Sequence, residues 1–217
     1  MRYRLARMLL IAMGATTLFG RSSDFGSATG VVLDSAGKPL ADATVYAYSE
    51  EDMFRQIRTR SDSAGRFRLE SLPRGAEYVD AFKESDGYPY NFFSFFQTPG
   101  QRTPVKINVT AGKVTPNVIL QMGLRAAYIE LDIRDDDGTP VNGTLLFDRP
   151  DIPGPYSRGV AATELLEVPP VPFRLSFEAR GYLPWHYEGK RGNTSAGLLA
   201  LKSGETIRLR IRLKRSP

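Results

Sequence analysis

Cysteine is absent from all 217 residues and histidine occurs once, at His186. Without cysteine there is no disulfide scaffold, no thiol nucleophile, no thiolate metal site and no lipidated N-terminal cysteine. A single imidazole excludes metal centres built on two or three histidines. The Gly-x-Ser-x-Gly elbow of Ser-His-Asp hydrolases is also missing, since the nearest approach, Gly192-Asn-Thr-Ser195-Ala-Gly197, has the wrong spacing. His186 therefore reads as a packed or surface histidine, and no catalytic residue, metal or cofactor is expected. Asp135-Asp136-Asp137-Gly138 lacks the alternating oxygens and the distal Glu of an EF-hand, so it reads as a charged turn tip.

Long apolar runs are equally scarce. The one that exists, Met8 to Met13 and Ala15 to Phe19, follows Arg2, Arg4 and Arg7. It is shorter than the ~20 apolar residues of a spanning helix and has the basic-then-apolar form of a secretory signal. Residues 1–20 are thus expected to be a signal helix, the protein exported, and no membrane span to remain after its removal. That removal takes away three arginines, so the formal charge falls from +5 to +2. A nearly neutral chain offers no electrostatic footprint for nucleic acid.

What the chain does have is twenty Gly, fifteen Pro and a repeat. Gly37 and Pro39 recur as Gly138 and Pro140, Leu72-Pro73 as Val168-Pro169, Gly87-Tyr88 as Gly181-Tyr182, and Gly112 as Gly204. The offset falls smoothly from 101 to 92, so order is kept throughout. Two units over residues 27–122 and 124–217 follow, joined by a junction, Gln121-Met122-Gly123, too short for much freedom. Within them, Val31 and Leu33, then Val45 and Ala47, alternate across an Asp-x-x-Gly turn whose aspartate caps it and whose glycine supplies positive φ. Phe67 and Leu69 oppose Arg66, Arg68 and Glu70, and Ile207, Leu209, Ile211 and Leu213 alternate with arginines. Short strands at this spacing predict β-sandwiches. The basic stripe Arg208, Arg210, Arg212, Lys214, Arg215 reads as a solvated strand face guarding an edge, with an anionic surface as the other option.

Gly30, Val32, Asp34, Gly37, Pro39, Leu40, Ala43 and Val45, then Asp62, Gly65, Phe67, Leu69, Leu72, Pro73 and Gly75, then Gly87-Tyr88, carry a resemblance. The first unit resembles the carboxypeptidase regulatory-like domain of the transthyretin-like sandwiches. The second departs from the pattern, with Val160-Ala-Ala-Thr-Glu-Leu-Leu in place of Asp-x-x-Gly-x-Phe. The resemblance implies an all-β chain of two tandem Greek-key, Ig-like sandwiches of about seven strands each. It also implies a non-catalytic accessory of an exported bacterial protein, in a fold where some relatives bind glycans. A transthyretin-related hydrolase would need several His and a Tyr-Arg-Gly-Ser ending, which Leu213-Lys-Arg-Ser-Pro217 does not supply.

Two aromatic runs remain, each after a Gly-Tyr. Tyr88, Tyr90, Phe92, Phe93, Phe95 and Phe96 make the first, and Trp185 and Tyr187 flank His186 in the second. Sugars stack on exposed rings, whereas an interdomain seam buries them. Four phenylalanines so close cannot share one strand face, so some must be exposed or lie between units. These eight residues are the candidate binding set, for an envelope protein or a glycan, in an exported non-enzymatic binding or scaffolding module.

Overall fold

The computed structural model describes residues 24–90, 94–98, 100–189 and 197–217. The expected signal helix, Phe92 and Phe93 lie outside them. Among the described residues the regular structure is strand, apart from two 3-10 turns at Glu84–Asp86 and Ser94–Phe96. No helix there is long and apolar enough to cross a membrane.

Seven strands come first: β1 Phe25–Leu33, β2 Thr44–Tyr48, β3 Ile57–Arg60, β4 Arg66–Pro73, β5 Gly75–Phe82, β6 Val105–Val109 and β7 Val114–Gln121. They form sheets in the orders β4-β1-β7 and β3-β2-β5-β6. Seven more follow: β8 Ala127–Asp135, β9 Gly143–Asp148, β10 Tyr156–Val160, β11 Leu165–Val168, β12 Arg174–Glu178, β13 Trp185–His186 and β14 Thr206–Leu213. Their orders, β11-β8-β14 and β10-β9-β12-β13, repeat the first set strand for strand. In both sets the first and last strands pair in parallel while the other ladders are antiparallel. Each set encloses its own buried apolar cluster.

Turn chemistry explains the local geometry. Asp34 Oδ1 accepts the amides of Ala36 (2.9 Å) and Lys38 (2.8 Å), and Asp135 Oδ1 those of Asp137 (3.1 Å) and Thr139 (2.8 Å). Asp62 makes a third copy, with Ala64 (2.9 Å) and Arg66 (2.8 Å). In each case a local carboxylate satisfies amides the ladder cannot reach. Gly65 ends its turn at φ +72°, and a Cβ there would stand 2.6 Å from the Val32 carbonyl oxygen. Gly65→Ala is therefore expected to cost about 1–3 kcal/mol, read as a lower urea midpoint with an unchanged slope. An unchanged midpoint would mean that the turn relaxes freely.

Alternation holds on β4 and β14: Phe67, Leu69, Leu209, Ile211 and Leu213 are buried and the intervening charges exposed. On β2, Val45 and Ala47 enter the core, but on β1 the inward residues are Ala28 and Val32. Val31 and Leu33 lie on the other face, since Ala28 and Val32 are an even number of residues apart and share the inner face of β1. The two register shifts put their extra residues on β4 and β7, not on β1. The bulged stretches contain Ser71 and Asn117, at φ +57° and +60°, and leave the phase of β1 intact. Residues 50–58 form a turn at Asp52 and Arg55, then enter β3, rather than a helical segment.

The two strand sets are tied tightly. Met122 N–H donates to Leu33 O (2.9 Å), Leu124 N–H to Thr98 Oγ1 (3.0 Å), and Ala126 N–H to Gly87 O (2.7 Å). A Cβ on Gly123 would stand 1.9 Å from Thr98 Oγ1, so a larger residue there would displace the hydroxyl that accepts from the Leu124 amide.

Candidate binding surfaces

The aromatic residues divide into three places. Tyr88 is 1% exposed in the first core, its hydroxyl near the Ser35 amide, with the Arg125 guanidinium over its ring. Phe95 is 3% exposed and belongs to the second core, although its chain position lies between β5 and β6. Its ring stacks on Tyr156 at 4.7 Å and 12° and contacts Phe147 at 5.0 Å, with Phe96 edge-on beside it. Neither Tyr88 nor Phe95 presents a face to solvent, which corrects their reading as ligand platforms: both fill cores. Trp185 shares the inner face of its sheet with Phe177, its cross-strand neighbour, and packs half-buried against the second core with Tyr187.

Arg149 fixes the inserted segment. Its Nη1 donates to the carbonyls of Phe95 and Gln97, both at 2.6 Å, while Nε and Nη2 grip Asp151 at 3.0 and 2.5 Å. The Arg149 side chain is 2% exposed, so its bond to the Phe95 carbonyl is made away from bulk water, while Asp151 stays in contact with it. Sequence reading missed Arg149, because an arginine after a strand reads as surface.

Tyr90 belongs to a different surface, the outer face of β3-β2-β5-β6. There Tyr46 and Tyr48 on β2 oppose Asp80 and Tyr78 on β5. Ring centroids run Tyr46 to Tyr48 at 5.9 Å and 20°, then Tyr48 to Tyr78 at 5.5 Å and 21°. Tyr90 closes on Tyr46 and Phe82, each at 5.2 Å. Lys106 Nζ sits 5.0 Å from the Tyr78 ring centre, a cation–π contact, and also bonds the Tyr78 hydroxyl. Beneath the row, Tyr46 donates to Asp80 at 3.1 Å. Burial pushes both groups up, the phenol further through the adjacent carboxylate, so Tyr46 keeps its proton across the physiological range. The sequence signal was present: Tyr46-x-Tyr48 and Tyr78-x-Asp80-x-Phe82 have the period of one strand face.

His186 is exposed on the outer face of β13, opposite Ser176 on β12. The two border an open depression of about 400 Å³ with Asp148 and Arg174, which pair with each other at 3.2 Å. Among the described residues no side chain is hydrogen-bonded to the imidazole. A general base needs an oriented partner and a nucleophile within reach, and among the described residues no hydrogen bond supplies either.

The basic stripe is largely neutralised. Parallel pairing with β8 sets Arg208 opposite Glu130 (3.3 Å), while Arg212, opposite Arg134, reaches diagonally to Asp132 (3.5 Å). Arg215 reaches Asp135 (3.0 Å), which also accepts from the Tyr182 hydroxyl (3.2 Å). Burial raises the Asp135 carboxyl, but the Thr139 amide, the Tyr182 hydroxyl and Arg215 together outweigh it and hold the group below its ordinary range. A carboxyl depressed in the folded state contributes stability above its unfolded pKa of about 4 and loses it as pH falls through the folded value. The thermal midpoint is expected to fall more steeply below about pH 4 in the parent than in Asp135→Asn. Parallel curves would remove Asp135 from the acid response.

Residues 27–117 match the family model of the carboxypeptidase regulatory-like domain. The match covers 91 of the 217 residues. It runs from within β1 to halfway along β7, and β8 to β14 lie beyond it. No curated protein sequence matches the chain. Among solved structures, the chain is similar to the Bacillus anthracis TIE protein at 16% identity and TM-score 0.34, over 88% of this chain and 34% of that one. It is also similar to a streptococcal ancillary pilin (8% identity, TM-score 0.37, 90% of this chain and 63% of that one). A third is GBS52, the minor pilin of Streptococcus agalactiae (12% identity, TM-score 0.37, 88% and 97%). The chain spans about a third of the TIE protein and under two thirds of the ancillary pilin.

Proposed function

We propose that the protein is an exported, non-enzymatic binding or scaffolding module of the bacterial cell envelope or exterior. It is built as two tandem sandwiches, residues 27–122 and 124–217, behind a signal segment at 1–20. The observation that carries this reading is the interlock: Phe95 from the first unit is built into the second core and held there by Arg149. Such a joint makes two small units into one stiff body, which serves spacing and display. It supplies no hinge of the kind that closes an active site. The test is fractionation of host cells expressing the tagged chain. Recovery in the envelope or medium is expected, and Arg2, Arg4 and Arg7 together changed to Glu should trap the chain inside. Cytoplasmic recovery of the parent would overturn the reading.

A second reading, carbohydrate binding, is favoured by one observation, the near-parallel, part-exposed rings of Tyr48 and Tyr78 bordered by Lys106, with the buried Tyr46 ring behind them. Near-parallel rings on one sheet face match the stacking of successive pyranose units. A glycan array run with the parent and with Tyr78→Ala/Tyr90→Ala checks it. Binding lost in the double variant supports the reading, and silence from the parent removes it.

A further inference from the structure

The repeat places two equivalent cavities in the chain, and only one of them is filled. In the second strand set, Phe147 pairs with Leu175 on one side and Tyr156 on the other, with Phe173 just before β12. Phe95 plugs the space between these three rings. In the first set, Ala47 pairs with Val79 on one side and Ile57 on the other, so Ala47 stands where Phe147 stands and Ile57 where Tyr156 stands. Two residues before Val79, in the place of Phe173, is Glu77. Each ring of the second cavity is thus replaced by something smaller or charged. The result is a pocket of about 360 Å³ lined by Ala47, Ile57, Pro73 and Glu77.

Glu77 is the anomaly in this pocket. It occupies an inward position of β5, in phase with the buried Val79 and Ala81, and is itself only 4% exposed. Among the described residues nothing donates a hydrogen bond to its carboxylate and no cation lies within ion-pair distance. Burial pushes the carboxyl up, and Arg55 opposes this only through its field. A buried carboxylate without a partner is a standing cost of the fold unless something else pairs with it. Other charges at the rim are Glu50, Glu51, Asp52 and Arg74, so the balance is acidic. Glu50 is occupied by the Tyr78 hydroxyl, and Asp52 accepts from the Arg55 amide (3.1 Å).

We propose that this pocket receives a lysine side chain inserted by another polypeptide, as its counterpart receives Phe95. The apolar wall of Ala47, Ile57 and Pro73 takes the alkyl stem and Glu77 takes the ammonium head, the division that a lysine side chain requires. The inference does not depend on the export reading or the tyrosine row.

The test uses the full chain, 15N-labelled, titrated with acetyl-Gly-Lys-Gly-amide and with the isosteric norleucine peptide, which lacks the charge. Saturable shifts at the Ala47, Ala76 and Glu77 amides are expected with the lysine peptide, with affinity at least tenfold weaker for norleucine. Glu77→Gln should bring the two peptides level while the fold is retained. Ala47→Phe, which copies Phe147, should fill the pocket and abolish both. Equal binding of the two peptides by the parent, undiminished lysine binding by Glu77→Gln, or no saturable shift at these amides would each overturn the proposal.

Discussion

Phe95→Ala is expected to destabilise the protein by about 3–5 kcal/mol, the usual range for removing a buried phenylalanine. The ring is 3% exposed and touches Tyr156, Phe147 and Phe173 at once, so nothing nearby can collapse to refill its place. A domain's whole stability is about 5–15 kcal/mol, so the loss would be a large part of it. The effect also has a particular location. Phe95 is supplied from between β5 and β6 but missed by the core around β9, β10 and β12. Urea unfolding of the parent should show one transition and that of Phe95→Ala an earlier or split one, with faster amide exchange on β9 and β10 than on β2 and β5. Phe95→Leu should recover part of the loss. A cost below about 1 kcal/mol for the alanine would show that the ring only rests against the second core.

The fold's grammar was legible because it is local. Asp34, Asp62 and Asp135 each announce a turn that their own carboxylate completes, and the β4 and β14 alternation follows from period two. Order and spacing exposed the repeat, and the sheet orders now match strand for strand. What sequence reading missed is non-local. Nothing in Ser94-Phe95-Phe96 says that its ring enters a core some fifty residues downstream, because an inserted side chain leaves no periodic trace. Arg208 and Arg212 looked like an unbalanced basic stripe until the parallel register with β8 supplied Glu130 and Asp132. Val31 and Leu33, read as alternating with Val45 and Ala47, stand off the core because Ala28 and Val32 take the inner face of β1. Both parities of Ala28 to Leu33 carry apolar residues, between which periodicity cannot choose. The tyrosine row was visible in principle, but aromatic residues at i and i+2 on β-strands are ordinarily counted as core. Here Val45 and Ala47 fill the core, and the tyrosines stand on the opposite face.

Arg149→Leu is expected to cost about 2–4 kcal/mol, although it exchanges a charged residue for an apolar one of similar reach. The lost groups are Nη1, which serves two carbonyls at 2.6 Å each, and the fork on Asp151. Asp151 is 57% exposed and returns to water at little cost. The Phe95 carbonyl has no such recourse, since its residue is buried against the second core, and it loses its donor at about 1–3 kcal/mol. The Gln97 carbonyl, on an exposed residue, regains water in part. Arg149→Lys should recover only part, because one ammonium cannot span both carbonyls and Asp151 in the plane that a guanidinium holds. The decisive measurement is the double-mutant cycle with Phe95→Ala. If ring and guanidinium hold the same segment in place, releasing it by one route leaves less to lose by the other. The double variant should then cost about 1–2 kcal/mol less than the two single losses combined. Strict additivity would separate the two residues: Phe95 would be core filling alone, Arg149 a surface brace, and the interlock between the strand sets would lose its support.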